Sequence, residues 1–335
     1  MKLFGLDQHV STYSDLSYIY GKLGHEYHCS LISGHSWVVG RQKENVPLVE
    51  NNITGLVEKE IWREFHQAYS ERLAEYDAFV VSYPPAFSLL YKQFIGKRVV
   101  VHIPIRYDFP YTDRDEQRKV LDSFLLSDAV ILCANNRLDK AYFEDRTGTK
   151  DTCRYIPSLC AYTGMKWAPK RDDFLLYDGS RRFQIDNATN RYDMHPHSWD
   201  DIQSFPAIVH IPYQISLMSI FEQYQACIPL FVPSKELLLK MYHNKADVLG
   251  QCFWSREQHG KYGFGTMEAV LDLADYYNDE WFPMIQKFNS APDLEERLYD
   301  DAFLEHVSKE MEIGNRANRC RIMKAWEDVL AKVKS

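Results

Sequence analysis

The stretch that most constrains the fold of this chain is Ala207–Leu238, which reads AIVHIPYQISLMSIFEQYQACIPLFVPSKELL. Its apolar runs predict buried strands over Ala207–Ile211 and Ile228–Val232, and the apolar spacing between them predicts a helix from Leu217 to about Ala226. A strand that enters a helix through a short polar turn is a place where α/β proteins bind phosphate, because the first free N–H groups of the helix point at the anion. The stretch therefore predicts a nucleotide diphosphate site.

The rest of the chain repeats this alternation of apolar strand and amphipathic helix. Nearly continuous Val and Ile runs, as in Arg98–Ile103, suit strands that are buried on both faces of a parallel sheet. Further strands are predicted over Leu3–Leu6, Glu26–Ile32, Ala78–Ser82, Ala129–Cys133, Thr152–Ile156 and Phe174–Tyr177. Helices are predicted over Tyr13–Leu23, Ile61–Tyr76, Phe87–Phe94, Arg114–Leu126, Arg137–Arg146, Lys235–Tyr242, Gly263–Ala274 and Leu294–Lys334, the last with a weak point at Gly314.

A polar, turn-rich stretch, Tyr162–Asp172, divides this pattern into two halves. We therefore predict an α/β fold with two parallel-sheet domains in series, residues 1–163 and 170–317, followed by a long C-terminal helix. The ligand is expected beyond the carboxyl ends of the strands, where two facing domains would form a cleft.

Composition excludes several classes of protein. The net charge of −8 and the lack of a long Lys/Arg block disfavour nucleic acid as the main ligand. No apolar run approaches the ~20 residues of a membrane-spanning helix, which leaves only a peripheral membrane contact open. The N-terminus lacks the apolar core of a signal peptide. The seven cysteines form no C-x-x-C pair, so we expect reduced thiols and a cytoplasmic protein.

The sequence offers little for metal binding. His195 and His197 are close, but no cysteine or carboxylate set at ligand spacing accompanies them, so a polar loop is the better interpretation. Adjacent acidic pairs such as Asp200-Asp201 point their side chains apart, and no Asp-x-Asp follows a predicted strand. We expect neither a required divalent metal nor a cofactor.

Three segments carry a resemblance to a known family. Ser216-Leu-Met-Ser-Ile-Phe-Glu222, the following Ile228–Ser234, and Asp7-x-His9-x-Ser11 near the N-terminus resemble the GT-B glycosyltransferases, which use nucleotide sugars. The resemblance implies two Rossmann-like domains facing across a cleft. The N-terminal domain would bind the acceptor and the C-terminal domain the nucleotide sugar, and a C-terminal helix, about 318–335, would return to the N-terminal domain.

The resemblance also assigns the donor site. The diphosphate would rest on the helix start Ser216-Leu217-Met218-Ser219, and Glu222 would contact the ribose, since a carboxylate accepts two hydrogen bonds at once. A strand-end loop, Asp178–Arg182, adds Gly179 with Arg181 and Arg182. One of these guanidinium groups would neutralise the departing diphosphate.

The stereochemical outcome and the base depend on other positions. Retaining members carry a second glutamate seven or eight residues before the ribose-binding one, where this chain has Ile215 and Gln214, so we expect an inverting transfer. Inversion needs a base that takes the proton of the acceptor hydroxyl. His9, Asp7 and Asp15, in the first strand-end loop and helix, are the candidates, and His9 and Asp15 are the two that we favour.

The sequence thus predicts a metal-independent glycosyltransferase that moves a sugar from a nucleoside diphosphate sugar to a carbohydrate or other hydroxyl acceptor. Two alternatives remain open at this point. A nucleotide-sugar epimerase on the same fold would need no acceptor, and a non-catalytic carbohydrate-binding protein would not consume the donor.

Overall fold

The computed structural model describes residues 1–194, 197–244, 248–249 and 264–334, and the chain divides into two compact units. The first unit contains Met1–Ser158 and the C-terminal residues from Ile322 onward, and the second contains Leu159–Arg321. The C-terminal segment therefore groups with the first unit. His195, Cys252 and the predicted helix start at Gly263 lie outside the described residues.

The first unit is built on a six-stranded sheet in which every neighbouring pair is parallel. Its strands are β1 (Lys2–Asp7), β2 (Glu26–Leu31), β3 (Ala78–Val81), β4 (Arg98–Ile103), β5 (Val130–Ala134) and β6 (Arg154–Tyr155). The strand order is β2-β1-β3-β4-β5-β6. All four residues of β3 are buried, which is the pattern that helices on both faces of a parallel sheet require.

Most helices of the first unit lie in the predicted places with small shifts at their ends, but the segment Pro47–Glu50 forms a helix that was not predicted. They are α1 (Val10–Lys22), α2 (Pro47–Glu50), α3 (Ile61–Leu73), α4 (Asp115–Leu125) and α5 (Arg137–Thr147). The helix predicted over Phe87–Phe94 is a 3₁₀ helix, and it spans Pro85–Tyr91. Its residues are all buried, so packing of the aromatic and leucine side chains decides the local geometry over helix propensity.

The second unit holds a five-stranded sheet, again all parallel, in the order β11-β10-β9-β7-β8. Its strands are β7 (Phe174–Tyr177), β8 (Ala188–Asn190), β9 (Ile208–His210), β10 (Leu230–Pro233) and β11 (Gln286–Phe288). Both outer strands, β8 and β11, are three residues long and were not predicted. The α/β fold with two parallel sheets in series is confirmed.

The helices of the second unit end in one that is much longer than the rest. They are α6 (Trp199–Gln203), α7 (Met218–Gln225), α8 (Lys235–His243), α9 (Met267–Asp272), α10 (Ala291–Leu298) and α11 (Asp301–Val333). The predicted weak point at Gly314 is wrong, because α11 continues through it. A Cβ at this position would lie 2.9 Å from Pro283 Cγ and 3.0 Å from the Tyr224 hydroxyl, so the glycine is a close-packing position.

The final part of α11 fills a place in the core of the first unit. Trp326 is 1% exposed, and its ring lies 5.5 Å from the ring of Tyr20 and 5.6 Å from that of His102, centroid to centroid. Both contacts are edge-on, the arrangement that aromatic quadrupoles favour. The last helix is therefore a structural part of the first sheet's cover.

Each sheet has one topological switch point, where successive strands are added on opposite sides of the first strand. In the first sheet β2 and β3 lie on opposite sides of β1, and in the second β8 and β9 lie on opposite sides of β7. Open parallel sheets bind their ligands outside the carboxyl ends of the strands at such a switch point. A ligand is therefore expected at the carboxyl ends of β1 and β3 or at those of β7 and β9.

Three further observations concern classes of site. Among the described helices, none has the length and apolar character needed to cross a membrane. Within the described ranges, no group of three or more His, Cys, Asp or Glu side chains is arranged to hold a metal ion. The six cysteines in the described part of the chain are free thiols.

Candidate functional site

At the switch point of the second sheet, side chains from β7, β9 and α7 contact one another in sequence. The ring of Tyr177, the last residue of β7, stacks on the ring of His210, the last residue of β9, at 4.7 Å and 16°. His210 Nε2 lies 3.3 Å from the hydroxyl of Ser219 in the first turn of α7. The predicted strand-end loop after β7 and the predicted helix start are therefore brought to the same edge of the sheet.

The start of α7 differs from the predicted one by one residue. The N-cap is Leu217 in an extended conformation, without a side-chain cap. Ser216, which was predicted at the helix start that holds the diphosphate, therefore lies one residue before the cap. The helix begins at Met218, and Ser219 is its second residue. The N–H groups of the first turn therefore still lie at the switch point.

Glu222 lies one turn into α7 and is 7% exposed. Its carboxylate accepts a short hydrogen bond from the hydroxyl of Tyr162. The sequence did not single out Tyr162, since a tyrosine in a linker carries no pattern of its own. The carboxylate predicted to bind a ribose is thus held in one orientation by a phenol of the same unit.

The loop after β7 is organised by Asp178, which is 1% exposed. Its Oδ1 accepts from the N–H and hydroxyl of Ser180 at 2.9 and 2.6 Å, and its Oδ2 accepts from the N–H of Phe183 at 2.8 Å. Gly179 is exposed at the tip between these bonds. Asp178 therefore fixes the glycine loop and has little capacity left to contact a ligand.

The two predicted arginines of this loop are both exposed. Arg181 pairs with Asp193 at 2.7 Å, which leaves less of its charge for a ligand. A third arginine, which the sequence analysis missed, lies beyond the end of β8. Arg191 places its guanidinium 5.9 Å above the ring centroid of Tyr177, and its Nε is buried without a hydrogen-bond partner in the described part of the chain.

Two buried polar groups beside α7 are left unsatisfied. His210 is fully buried, its Nδ1 has no hydrogen-bond partner among the described residues, and burial lowers its pKa to about 3. Gln223 is 1% exposed and lies beside the Tyr177 hydroxyl without a well-formed hydrogen bond from either amide atom. His210 Nδ1 and the Gln223 amide therefore have hydrogen-bonding capacity that the described residues do not use.

The acid–base candidates lie in the first unit, at the other switch point. His9 follows β1 and is the N-cap of α1, where its Nδ1 accepts from the N–H of Thr12 at 3.4 Å. Its ring lies 5.6 Å from that of Tyr83, which follows β3. Burial, together with the nearby His35, lowers the pKa of His9 to about 4, so its imidazole is neutral at pH 7.

Asp7 and Asp15 are both more buried than His9. Asp7 accepts from the N–H of His9 at 2.7 Å, and burial raises the pKa of its carboxyl to about 8. Asp15 lies within α1 and is 2% exposed, so its carboxylate is on the buried side of that helix. His9 is the most accessible of the three candidates, and Asp7 and Asp15 are both buried.

Comparison with known proteins gives solved structures alone. No model of a protein family matches this chain, and no curated protein matches it either. Similar structures are the calicheamicin glycosyltransferase CalG4 (12% identity, TM-score 0.43, 100% of this chain and 99% of that chain), the glycotransferase of kitacinnamycin (12%, 0.41, 98% and 98%) and the spinosyn rhamnosyltransferase SpnG (11%, 0.39, 95% and 96%). All three are glycosyltransferases by description. Because the identities and TM-scores are this low, these structures support no argument about function, which depends on the chain's own residues.

Proposed function

We propose that this chain is a glycosyltransferase that moves a sugar from a nucleoside diphosphate sugar to a hydroxyl group of a carbohydrate or similar acceptor. The observation that carries the proposal is the unsatisfied polar cluster at the switch point of the second sheet. His210, whose Nε2 contacts Ser219 in the first turn of α7, has a buried Nδ1 without a hydrogen-bond partner in the described part of the chain, and the buried Gln223 amide, further along α7, has no well-formed hydrogen bond. A helix start with waiting donors and acceptors suits a polar, anionic ligand.

The described residues divide the work of donor binding. The N–H groups at the start of α7 would hold the diphosphate, with Ser219 beside them. Glu222, oriented by Tyr162, would accept hydrogen bonds from two ribose hydroxyls. Arg191 would place positive charge near the leaving group, and Arg181 or Arg182 would approach from the glycine loop.

The reaction balances with one base and no cofactor. The bond between the anomeric carbon and the phosphate oxygen breaks, and the nucleoside diphosphate leaves with its electron pair. The acceptor oxygen forms a bond to the same carbon from the opposite face and gives its proton to the base. We propose His9 as that base, with Asp15 the predicted alternative. Metal independence and inversion belong to the same proposal.

A neutral imidazole is the form that a base needs, but a pKa near 4 makes His9 a weak one. Its Nδ1 contact to the Thr12 N–H is long, so a modest change at the ring would release that nitrogen. A negative charge near the ring would raise the pKa of the imidazole and strengthen it as a base. The free thiols are those of a reducing compartment, and the proposal places the reaction in the cytoplasm.

Nucleotide binding is the first test. The full chain is heated with UDP, GDP, ADP, CMP or dTDP, and one diphosphate is expected to raise the unfolding midpoint, since saturation at a hundred times Kd stabilises by about 2.7 kcal/mol. The corresponding nucleotide sugars are then incubated with and without glycan acceptors, in EDTA. Transfer only with acceptor supports the proposal. Conversion of the donor alone would favour an epimerase, and no shift with any nucleotide would overturn the donor site.

A further inference from the structure

The second unit contains a cavity of about 620 Å³ that includes none of the residues of the proposed donor site. Its wall is formed by the segment Met165–Trp167, by Gln225 and Cys227 at the C-terminal end of α7, and by one side of α11. The volume falls within the roughly 300–1,000 Å³ of ordinary small-molecule sites. The cavity is therefore large enough for a metabolite and lies on a different part of the unit from the start of α7.

Positive charge dominates the wall. Four cationic side chains line the cavity, Lys166, Lys309, Arg316 and Arg319, against a single carboxylate, that of Glu312. Exposed lysines and arginines are common on protein surfaces, so the excess alone says little. What matters is how much of the charge the protein itself neutralises.

Two of the four cations are paired. Arg316 lies 2.6 Å from the carboxylate of Glu312, and Lys309 lies 3.2 Å from that of Glu305. Lys166 and Arg319, by contrast, form no ion pair with a carboxylate in the described part of the chain. The cavity therefore retains two cations from two different segments that form no ion pair, although Lys166 lies close enough to Glu312 to contribute to the lowered pKa of that carboxyl.

Arg319 is held in place by a neutral group. In the orientation that satisfies its surroundings, the Gln225 amide donates to the carbonyl of Leu159 at 3.3 Å and accepts from Arg319 Nη2 at 2.8 Å. An amide fixes the guanidinium without neutralising it, and the planar guanidinium keeps further N–H donors for a ligand. This is the arrangement of an arginine prepared for an anion.

The remaining wall suits a ligand that is more than a bare anion. Met165 and Trp167 supply apolar surface, and the indole of Trp167 is fixed by bonds to the carbonyls of Phe205 and Pro206 at 3.2 and 3.1 Å. Ser308 adds a hydroxyl. We propose that this cavity binds a small phosphorylated metabolite, with the phosphate between Lys166 and Arg319 and an uncharged polar ring against Trp167. This proposal does not depend on the proposed function.

The cavity carries its own reporters, because Cys227 and Cys320 both line it. In the full chain, alkylation of these two thiols by iodoacetamide is followed by peptide mass spectrometry with and without glucose 6-phosphate. Occupancy is expected to slow the alkylation of both in a saturable manner, and calorimetry gives the Kd. Glucose should not protect, and inorganic phosphate should protect only at higher concentration because it lacks the ring.

Substitutions identify the cations. Lys166→Ala and Arg319→Ala are each expected to raise the Kd about tenfold to a hundredfold, the loss of a charge-assisted hydrogen bond. Lys287→Ala, in the same unit but outside the cavity, should leave the Kd unchanged. Unfolding midpoints establish that each variant is folded. If glucose 6-phosphate gives no protection, or if the variants bind it as well as the wild type does, the proposal that this cavity is a binding site is wrong. If inorganic phosphate and glucose 6-phosphate protect equally, the site binds phosphate alone, and the proposal of a metabolite is wrong.

Discussion

The hydroxyl of Tyr162 donates a hydrogen bond to the carboxylate of Glu222, and this fixes the one acidic side chain of α7 at the edge of the second sheet. A buried carboxylate is costly unless it is hydrogen-bonded, so the phenol also stabilises the charge. The orientation of Glu222 in any ligand complex therefore depends on a residue some sixty positions earlier in the chain.

The first prediction concerns this pair. Glu222→Ala is expected to weaken binding of the active nucleoside diphosphate about tenfold to a hundredfold, because bonds to a charged group are lost. Tyr162→Phe should weaken it less, about threefold to tenfold, since it removes only the bond that orients the carboxylate. Calorimetry with the nucleotide measures both. Unchanged affinity of Glu222→Ala would show that the ribose is bound elsewhere.

The second prediction compares arginines. Arg191→Ala should lower kcat on the order of a hundredfold, as expected for a group that stabilises charge in the transition state. Arg181→Ala should lower it much less, because that guanidinium is already shared with Asp193 in an exposed ion pair. Steady-state kinetics with the identified donor decides between them. If Arg181→Ala is the more damaged variant, the assignment of Arg191 is wrong.

The third prediction is a pH profile. A base must be unprotonated, so kcat/KM rises as the pH increases through the pKa of the base in the free enzyme. With His9 as the base, the rise is centred near pH 4, and activity is level through neutrality. With Asp7 as the base, the rise is centred near pH 8. Loss of the acidic limb in His9→Gln would complete the identification.

The fourth prediction is a pH dependence of stability. Burial raises the pKa of Asp7 to about 8 from the 3.8 of an exposed carboxyl, so the folded state binds the proton more tightly than the unfolded chain does. The free energy of unfolding therefore falls as the pH rises from about 4 to about 8. Asp7→Asn should remove this slope and be more stable than wild type at pH 9. Denaturant titrations at pH 5 and pH 9 measure the effect, with the exposed Asp128→Asn as control, and parallel slopes in all three proteins would contradict it.

The fifth prediction uses two helix glycines. Gly314→Ala is expected to destabilise by about 1–3 kcal/mol, since its Cβ would press on Pro283 and Tyr224. Gly21→Ala, in α1, meets no atom within 4 Å and should stabilise by up to about 1 kcal/mol through helix propensity. Thermal unfolding compares the two. Equal and favourable effects would show that α11 can shift away from Pro283 at no cost.

The sequence predicted the elements that bury apolar residues on both faces. β4 and β7 have the predicted bounds, because continuous Val, Ile and Leu runs leave no doubt about where a buried strand lies. β8 was missed because an edge strand of three half-buried residues, Ala-Thr-Asn, has no apolar signal. The strand β8 forms by pairing with β7, and the local sequence does not show which segments pair.

The candidate site shows the same limit. The strand–turn–helix pattern was enough to find the helix and Glu222. The pattern did not reveal Tyr162, which lies in a linker, or Arg191, which follows an unpredicted strand. It also did not reveal Gln223, which lies on one face of the helix. The helix begins one residue later than predicted, at Met218, because the backbone conformation of the preceding turn decides where a helix begins and the sequence pattern does not show it. Side-chain partners from distant segments are a tertiary property.

The division of the chain into units has a consequence for biosynthesis. The ribosome completes Met1–Ser158 first, but the ring that covers Tyr20 and His102 belongs to Trp326, near the other end of the chain. An N-terminal domain commonly finishes folding while the rest of the chain is being made, but here the core of the first unit lacks the Trp326 ring until that residue has been translated.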